Sequence, residues 1–147
     1  MWQSLKVPPV KEDVRAQYTD VVVIGAGASG LMCAATAARA GRAVTVLERS
    51  EQIGRKLALS GGGRCNFTNR RAGSAEYYRS AQPNFCKSAL ARFSPDDFVA
   101  LLEKRRVRYT EEKDGQLFCA EGATRIVDLL CAECKDAGVD IRLSCGV

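Results

Sequence analysis

One string, DVVVIGAGASGLMCAATAARAGRAVTVLE from Asp20 to Glu48, constrains the fold more than any other part of the chain. Asp20 to Gly25 is an apolar, β-branched run of the kind buried on both faces of a parallel sheet. It passes directly into glycines and then into Ser29 to Ala40, rich in alanine and other helix formers, which Gly41 closes in the C-cap role. Ala43 to Glu48 reads as a second buried strand. Strand, glycine turn, helix and strand within about 30 residues make a βαβ unit, the building block of an α/β fold with a parallel sheet.

Gly25, Gly27 and Gly30 form G-x-G-x-x-G, which is weak evidence alone. Here it follows a strand, opens a helix and is answered by an acid, Glu48, at the end of the second strand, which is the dinucleotide-binding context. Gly25 permits the tight turn, Gly27 admits a pyrophosphate close to the backbone, and Gly30 lets helix and strand approach. Free N–H groups near Ala28 and Ser29 face the phosphates with the helix dipole behind them. Glu48 accepts from the adenosine ribose hydroxyls, and its charge disfavours the extra 2'-phosphate of NADP at that position. The bland alternative is a glycine turn kept for packing. FAD and NAD share the half that such a unit recognises, so the fingerprint leaves both open.

The stretch GRKLALSGGGRCNFTN, Gly54 to Asn69, bears on that choice. Ser60, Gly61, Gly62 and Gly63 offer successive backbone N–H groups that can form a concave nest or lie flat against a ring. Lys56 and Arg64 flank them with positive charge, while Asn66 and Asn69 add amides. That suits a second contact surface on an extended anionic cofactor. The alternative is a flexible linker, although glycine linkers more often carry serines than Arg-Cys-Asn.

Together the βαβ string and this loop resemble the N-terminal part of a bacterial family of NAD(P)/FAD-dependent oxidoreductases, whose members are labelled flavoproteins, aminoacetone-oxidase-like proteins or 3-dehydro-bile-acid reductases. The family's S-G-G-G-R-C-N-x-T-N motif is matched without a gap from Ser60 to Asn69. The resemblance runs from about Tyr18 to the end and implies FAD as cofactor, with NAD(P)H as a possible co-substrate. It implies FAD contacts from Gly25, Ala26, Gly27, Ala28, Ser29 and Gly30, with Glu48 and Arg49 at the adenosine end. Lys56, Ser60, Gly61, Gly62, Gly63, Arg64, Cys65 and Asn66 then lie towards the flavin, and the Val147 backbone meets the adenine. Family members continue beyond this part through a β-meander and a return segment that completes the flavin pocket. The expected fold class is therefore α/β, a Rossmann-like FAD-binding βαβ unit of the glutathione-reductase type, truncated before the sheet is complete. In the expected strand order the first strand is central, so truncation exposes its apolar edge.

At 147 residues the chain is one domain's worth. Residues 1–17 read as a mobile leader and 18–147 as a partial FAD/NAD(P)-binding domain. Within it, 49–82 is a glycine-rich cofactor loop region, 84–119 holds small helices and a hairpin, and 123–147 holds a helix and a third strand. Helices are expected near Asn84 to Arg92 and Pro95 to Arg105, the second with Ser94 as N-cap and Pro95 at its first position. Phe85, Ala89, Phe93, Phe98, Leu101 and Leu102 are their expected buried face. The hairpin turns at Asp114-Gly115. Ala123 to Ala137 is a further helix, with Ile126, Leu130 and Cys134 on one face, ended by Gly138 before a strand over Val139 to Ser144.

Histidine is absent, which removes Ser-His triads and most zinc sites; no metal site is expected, and no residue stands out as an acid or base. The seven cysteines, odd in number and without a signal peptide, point to reduced thiols in a cytoplasmic protein. Cys131 and Cys134 read as packing thiols rather than a redox pair, which would sit at a helix N-terminus. Cys65 likewise reads as a packing residue, with a nucleophile as the alternative. The net charge of +5 is scattered, with clusters at Arg70-Arg71 and Lys104-Arg105-Arg106, and no stacking aromatic pattern accompanies it. The expected partner is a small-molecule substrate, with no nucleic acid and no membrane. The function expected is the FAD-binding portion of an oxidoreductase that transfers hydride between NAD(P)H, FAD and a small organic substrate. The alternatives are a non-catalytic dinucleotide-binding fragment and an NAD-only Rossmann enzyme.

Overall fold

A computed structural model describes residues 18–82 and 84–146. The leader assigned to 1–17 and the adenine contact assigned to Val147 lie outside the described residues. β1 (Val21–Ile24) leads into α1 (Ala28–Arg39), and Gly41, at φ +82°, turns the chain back into β2 (Val44–Leu47). The two strands pair parallel, from Val21 opposite Val44 to Ile24 opposite Leu47. On its other side β2 pairs parallel with β6 (Asp140–Arg142), so the sheet order is β1-β2-β6. The expected α/β Rossmann-like unit is thus formed.

β1 departs from the expectation of burial on both faces. Val21 and Val23 pack into the core, whereas Val22 and Ile24 are 52% and 71% exposed. Alternate side chains point to opposite sides of a strand. α1 and α5 (Ala123–Asp136) cover one side of the sheet, and no described element covers the other at β1.

The passage 49–82 is more ordered than its lack of periodicity suggests. α2 (Arg55–Leu59) packs against α5, and β3 (Asn66–Asn69) joins a second sheet. That sheet is antiparallel, in the order β3-β5-β4, with β4 (Tyr109–Glu111) and β5 (Gln116–Cys119) forming the expected hairpin. Asp114 and Gly115 occupy its turn at φ +61° and +78°. α3 (Lys87–Arg92) and α4 (Pro95–Lys104) precede the hairpin. Ser94 caps α4 as expected: its hydroxyl accepts from the Asp97 N–H at 3.2 Å, and Asp97 accepts from the Ser94 N–H at 2.7 Å.

The expected buried face of α3 and α4 holds only in part. Leu102 is fully buried, and Phe98 and Leu101 pack against the core. Phe85, Ala89 and Phe93 are exposed; α3 starts only at Lys87 and is short, and Phe93 keeps an edge contact with Phe98, ring centroids 6.3 Å apart. The α5 stripe is as expected, with Ile126, Leu130 and Cys134 buried. Next to it Glu133 is 1% exposed and bonded to Arg39 of α1 and, at 2.6 Å, to Arg105 at the end of α4. Burial works against this carboxylate's charge, but the two guanidinium groups win and hold its pKa below the ordinary range. The pair of arginines thereby ties three helices to one buried acid. Among the described residues no helix is long and apolar enough to cross a membrane.

Candidate functional site: a cleft at the start of α1

The chain leaving β1, the first turn of α1 and the end of β2 border a cleft of about 810 Å³. Gly25, Ala26, Gly27, Ala28, Ser29, Glu48, Arg49 and Lys56 all line it, so these expected site residues come together. Gly30 stands behind the cleft. A Cβ there would lie 2.0 Å from the Gly25 carbonyl oxygen, so this close helix-to-strand approach requires glycine. At Gly27 a Cβ would meet nothing within 4 Å, which is the open approach a phosphate needs. α1 has no side-chain N-cap bond and no acid in its first turn. Its first N–H groups therefore keep their capacity for an anion.

Glu48 organises the rim. One carboxylate oxygen accepts from the Ala26 N–H at 2.8 Å; the other accepts from the Ser50 N–H at 2.9 Å and the Ser50 hydroxyl at 2.8 Å. The Ser50 and Ala26 N–H bonds and the Ser50 hydroxyl lower its pKa to about 2, so it is ionised at neutral pH. A carboxylate offers about four acceptor sites, and three donors leave one for a ribose hydroxyl. Glu48 thus ties the glycine turn to the end of β2 while keeping capacity for a ligand. Arg49, Arg55 and Lys56 add positive charge to the cleft; Arg49 acts on Glu48 and helps to lower its pKa, while Arg55 and Lys56 have no acid partner among the described residues.

Ser50 and Arg55 are site residues that sequence reasoning passed over. Ser50 carries a readable signal, since a hydroxyl two residues beyond a strand-end acid can fold back onto it. Arg55 differs from the chosen Lys56 only by falling one position earlier in the same helix turn.

Ser60 to Asn66 forms a separate wall, since the described lining of the cleft stops at Leu59. Gly61, Gly62 and Gly63 are all left-handed, at φ +56°, +65° and +86°. At Gly61 a Cβ would lie 2.8 Å from the Asn66 N and 3.1 Å from the Phe118 ring, whereas Gly62 and Gly63 face open space. Arg64 lies over that ring, 4.4 Å from its centroid, and pairs with Glu112. The Asn69 amide donates to the Asp114 carbonyl at 2.9 Å, locking the motif's end onto the hairpin turn. Such anchoring belongs to a built loop rather than a flexible linker.

Cys65 is fully buried at φ +54°, and burial pushes its thiol pKa up, with the Ser60 side chain opposing the shift. Burial and a raised thiol pKa suit a packing residue better than a nucleophile. Cys134 donates to the Leu31 carbonyl at 3.2 Å in the core, its thiol pushed up to about 11 chiefly by burial. Cys131 and Cys134 lie in the C-terminal half of α5, away from the N-terminal dipole position that activates a redox pair.

The model of a family described as the HI0933-like protein Rossmann domain matches residues 19–147. The chain is 48% identical over 128 residues to the ribosomal RNA dihydrouridine synthase of Haemophilus influenzae, covering 87% of this chain and 32% of that protein. It is 34% identical over 122 residues to the 3-dehydro-bile acid delta(4,6)-reductase of Clostridium scindens, covering 81% and 29%. The chain therefore spans about a third of the length of these curated relatives. Among solved structures, the 3-ketosteroid-delta4-(5alpha)-dehydrogenase of Rhodococcus jostii RHA1 superposes with a TM-score of 0.60 at 18% identity. That match covers 86% of this chain and 38% of the other, and it shows a shared fold.

Proposed function

Because the chain belongs to the HI0933-like Rossmann-domain family, we propose that it is the FAD-binding N-terminal portion of a flavin-dependent oxidoreductase. The observation that carries this reading is the cleft itself, where an ionised Glu48, an α1 N-terminus without a side-chain cap and the cations Arg49, Arg55 and Lys56 line one space. Such a donor set fits an extended dinucleotide, whose diphosphate is anionic and whose ribose hydroxyls donate. The α1 N–H groups and Gly27 take the diphosphate, Glu48 the adenosine ribose, and Arg49 flanks the adenosine end. Lys56 leads from the diphosphate towards Ser60 to Asn66, whose left-handed glycines present backbone to the flavin. Val147 is assigned to the adenine as an expectation from resemblance.

When bound, FAD supplies hydride transfer, with NAD(P)H as the donor in this reading. The names of the two relatives share one chemistry. Forming dihydrouridine saturates a ring double bond conjugated to a carbonyl, as does reducing a 3-dehydro Δ4,6 steroid. We therefore assign the complete enzyme to hydride addition at an activated C=C bond. The charged residues of the cleft are one ionised acid, Glu48, and the cations Arg49, Arg55 and Lys56, a set suited to holding an anionic cofactor. The role of these cleft residues is accordingly to bind and orient the cofactor. The seven free thiols suit a reducing cytoplasm.

The test is retention of flavin. The purified chain is incubated with FAD, freed of unbound ligand by gel filtration and scanned in the visible. A flavin spectrum travelling with the protein is expected, without NAD(P)H consumption by the chain alone. A colourless protein would overturn the reading.

A further inference from the structure

Glu48 alone is one acceptor short for the ribose assigned to it. Its carboxylate has about four acceptor sites. The Ala26 N–H fills one, and the N–H and hydroxyl of Ser50 fill two more, so one is left. The adenosine ribose carries two adjacent hydroxyls, and both donate. A second acceptor must stand beside Glu48 if neither hydroxyl is to lose its water without a replacement.

The Ser50 hydroxyl is placed for that role. Its oxygen lies 2.8 Å from Glu48 Oε1 and 2.8 Å from the Gln52 carbonyl oxygen. Both neighbours are acceptors, so the single proton of the hydroxyl is directed at them, and no donor among the described residues reaches Ser50 Oγ. The lone pairs of Oγ are therefore unused. Ser50 lines the same cleft as Glu48, Gly27 and the first turn of α1. The interval from Oε1 to Oγ is of the size that separates the two oxygens of a vicinal diol.

The backbone beneath the pair is held by the chain around the end of β6. The Glu48 N–H donates to the Arg142 carbonyl at 2.9 Å, the Cys145 N–H donates to the Glu48 carbonyl at 2.9 Å, and the Ser144 N–H donates to the Ser50 carbonyl at 3.1 Å. Both acceptors thus stand in position without a ligand, which lowers the ordering cost of binding one.

We propose that Ser50 is a ribose-binding residue that sets specificity for the intact diol: its Oγ accepts one hydroxyl of the adenosine ribose while Glu48 accepts the other. The inference rests on the dinucleotide reading of the cleft. It adds a requirement to that reading, since a ribose that lacks either hydroxyl, or carries a phosphate in its place, leaves one of the two acceptors unpaired.

The test is calorimetric titration of the full chain with ADP, 2'-deoxy-ADP and 3'-deoxy-ADP, in the parent, in Ser50→Thr and in Ser50→Val. Threonine keeps the hydroxyl, whereas a valine methyl takes its place and shields the Oε1 lone pair that its loss would free. In the parent and Ser50→Thr, both analogues should bind more weakly than ADP. The analogue lacking the hydroxyl held by ionised Glu48 should lose roughly tenfold to a hundredfold, and the one lacking the hydroxyl held by Ser50 roughly twofold to tenfold. In Ser50→Val the smaller penalty should vanish and the larger persist. Ser50→Cys, whose sulfur accepts only weakly, should show the same pattern and replaces the valine variant if that does not fold. Two penalties that persist in Ser50→Val would show that Glu48 takes both hydroxyls, and two that vanish together would show that Ser50 acts only by shaping Glu48. Either result overturns the proposal and leaves the cofactor reading standing, whereas a parent that binds no ADP overturns both.

Discussion

Glu48 joins three parts of the site, because its carboxylate accepts from Ala26 in the glycine turn and twice from Ser50 in the loop beyond β2. Its pKa of about 2 is depressed from the ordinary carboxylate value, chiefly by the Ser50 N–H. A depressed acid contributes stability that is fully present above its unfolded pKa and is lost as pH falls through the folded one. Stability is therefore expected to be insensitive to Glu48 from neutrality down to about pH 4.5 and to fall between there and about pH 2. Glu48→Gln should cost about 1–3 kcal/mol at neutral pH, because an amide group then faces the Ala26 or Ser50 donors. It should also flatten the acid limb, as read by urea melts across the pH range. Two glycines of the turn should behave oppositely on substitution. Gly30→Ala drives a methyl into the Gly25 carbonyl and should destabilise by about 3 kcal/mol or more. Gly27→Ala puts its methyl into the open cleft and should leave the melting temperature nearly intact while weakening FAD binding. Equal effects of the two on stability would contradict the geometry.

At the scale of elements, β1 is the exposed flank of the sheet. Val22 and Ile24 stand in solvent on an apolar strand that has a partner on one side only among the described residues. Unprotected edges of this kind recruit other strands. Val22→Thr with Ile24→Lys is expected to slow aggregation, followed by light scattering, while Val21 and Val23 keep the packed face in place. Unchanged or faster aggregation would contradict this reading of β1. The elements legible in the sequence are those whose signals are local. The βαβ unit has a strand-glycine-helix order, α4 its Ser94-Pro95-Asp97 start, the hairpin its Asp114-Gly115 turn, and α5 its i, i+4 stripe. β3 was not legible, because Asn66 to Asn69 becomes a strand only by pairing with β5, about 50 residues away. Phe85 and Phe93 misled for a related reason: an aromatic at helical spacing reads as core, and α3 is too short to bring a core to them.

At the scale of the molecule, two sheets share the work. The parallel sheet and α1 build the cleft proposed for the dinucleotide, and the small antiparallel sheet anchors the Ser60 to Asn69 loop through β5 and the Asn69 amide. The cleft residues were readable because Gly25 to Gly30 and Glu48 keep fixed positions relative to strand and helix ends. The wall of Ser60 to Asn66 was readable as a motif, but its separation from the described cleft lining was visible only once the chain was folded. The central claim is that this surface is built for FAD rather than for NAD. It is tested most directly by thermal melting of the purified chain with each dinucleotide at equal concentration. A ligand that binds the folded state raises the midpoint in proportion to how far its concentration exceeds its Kd. The account predicts a rise with FAD that exceeds any rise with NAD and that shrinks in Gly27→Ala; protection by NAD with none by FAD would contradict it.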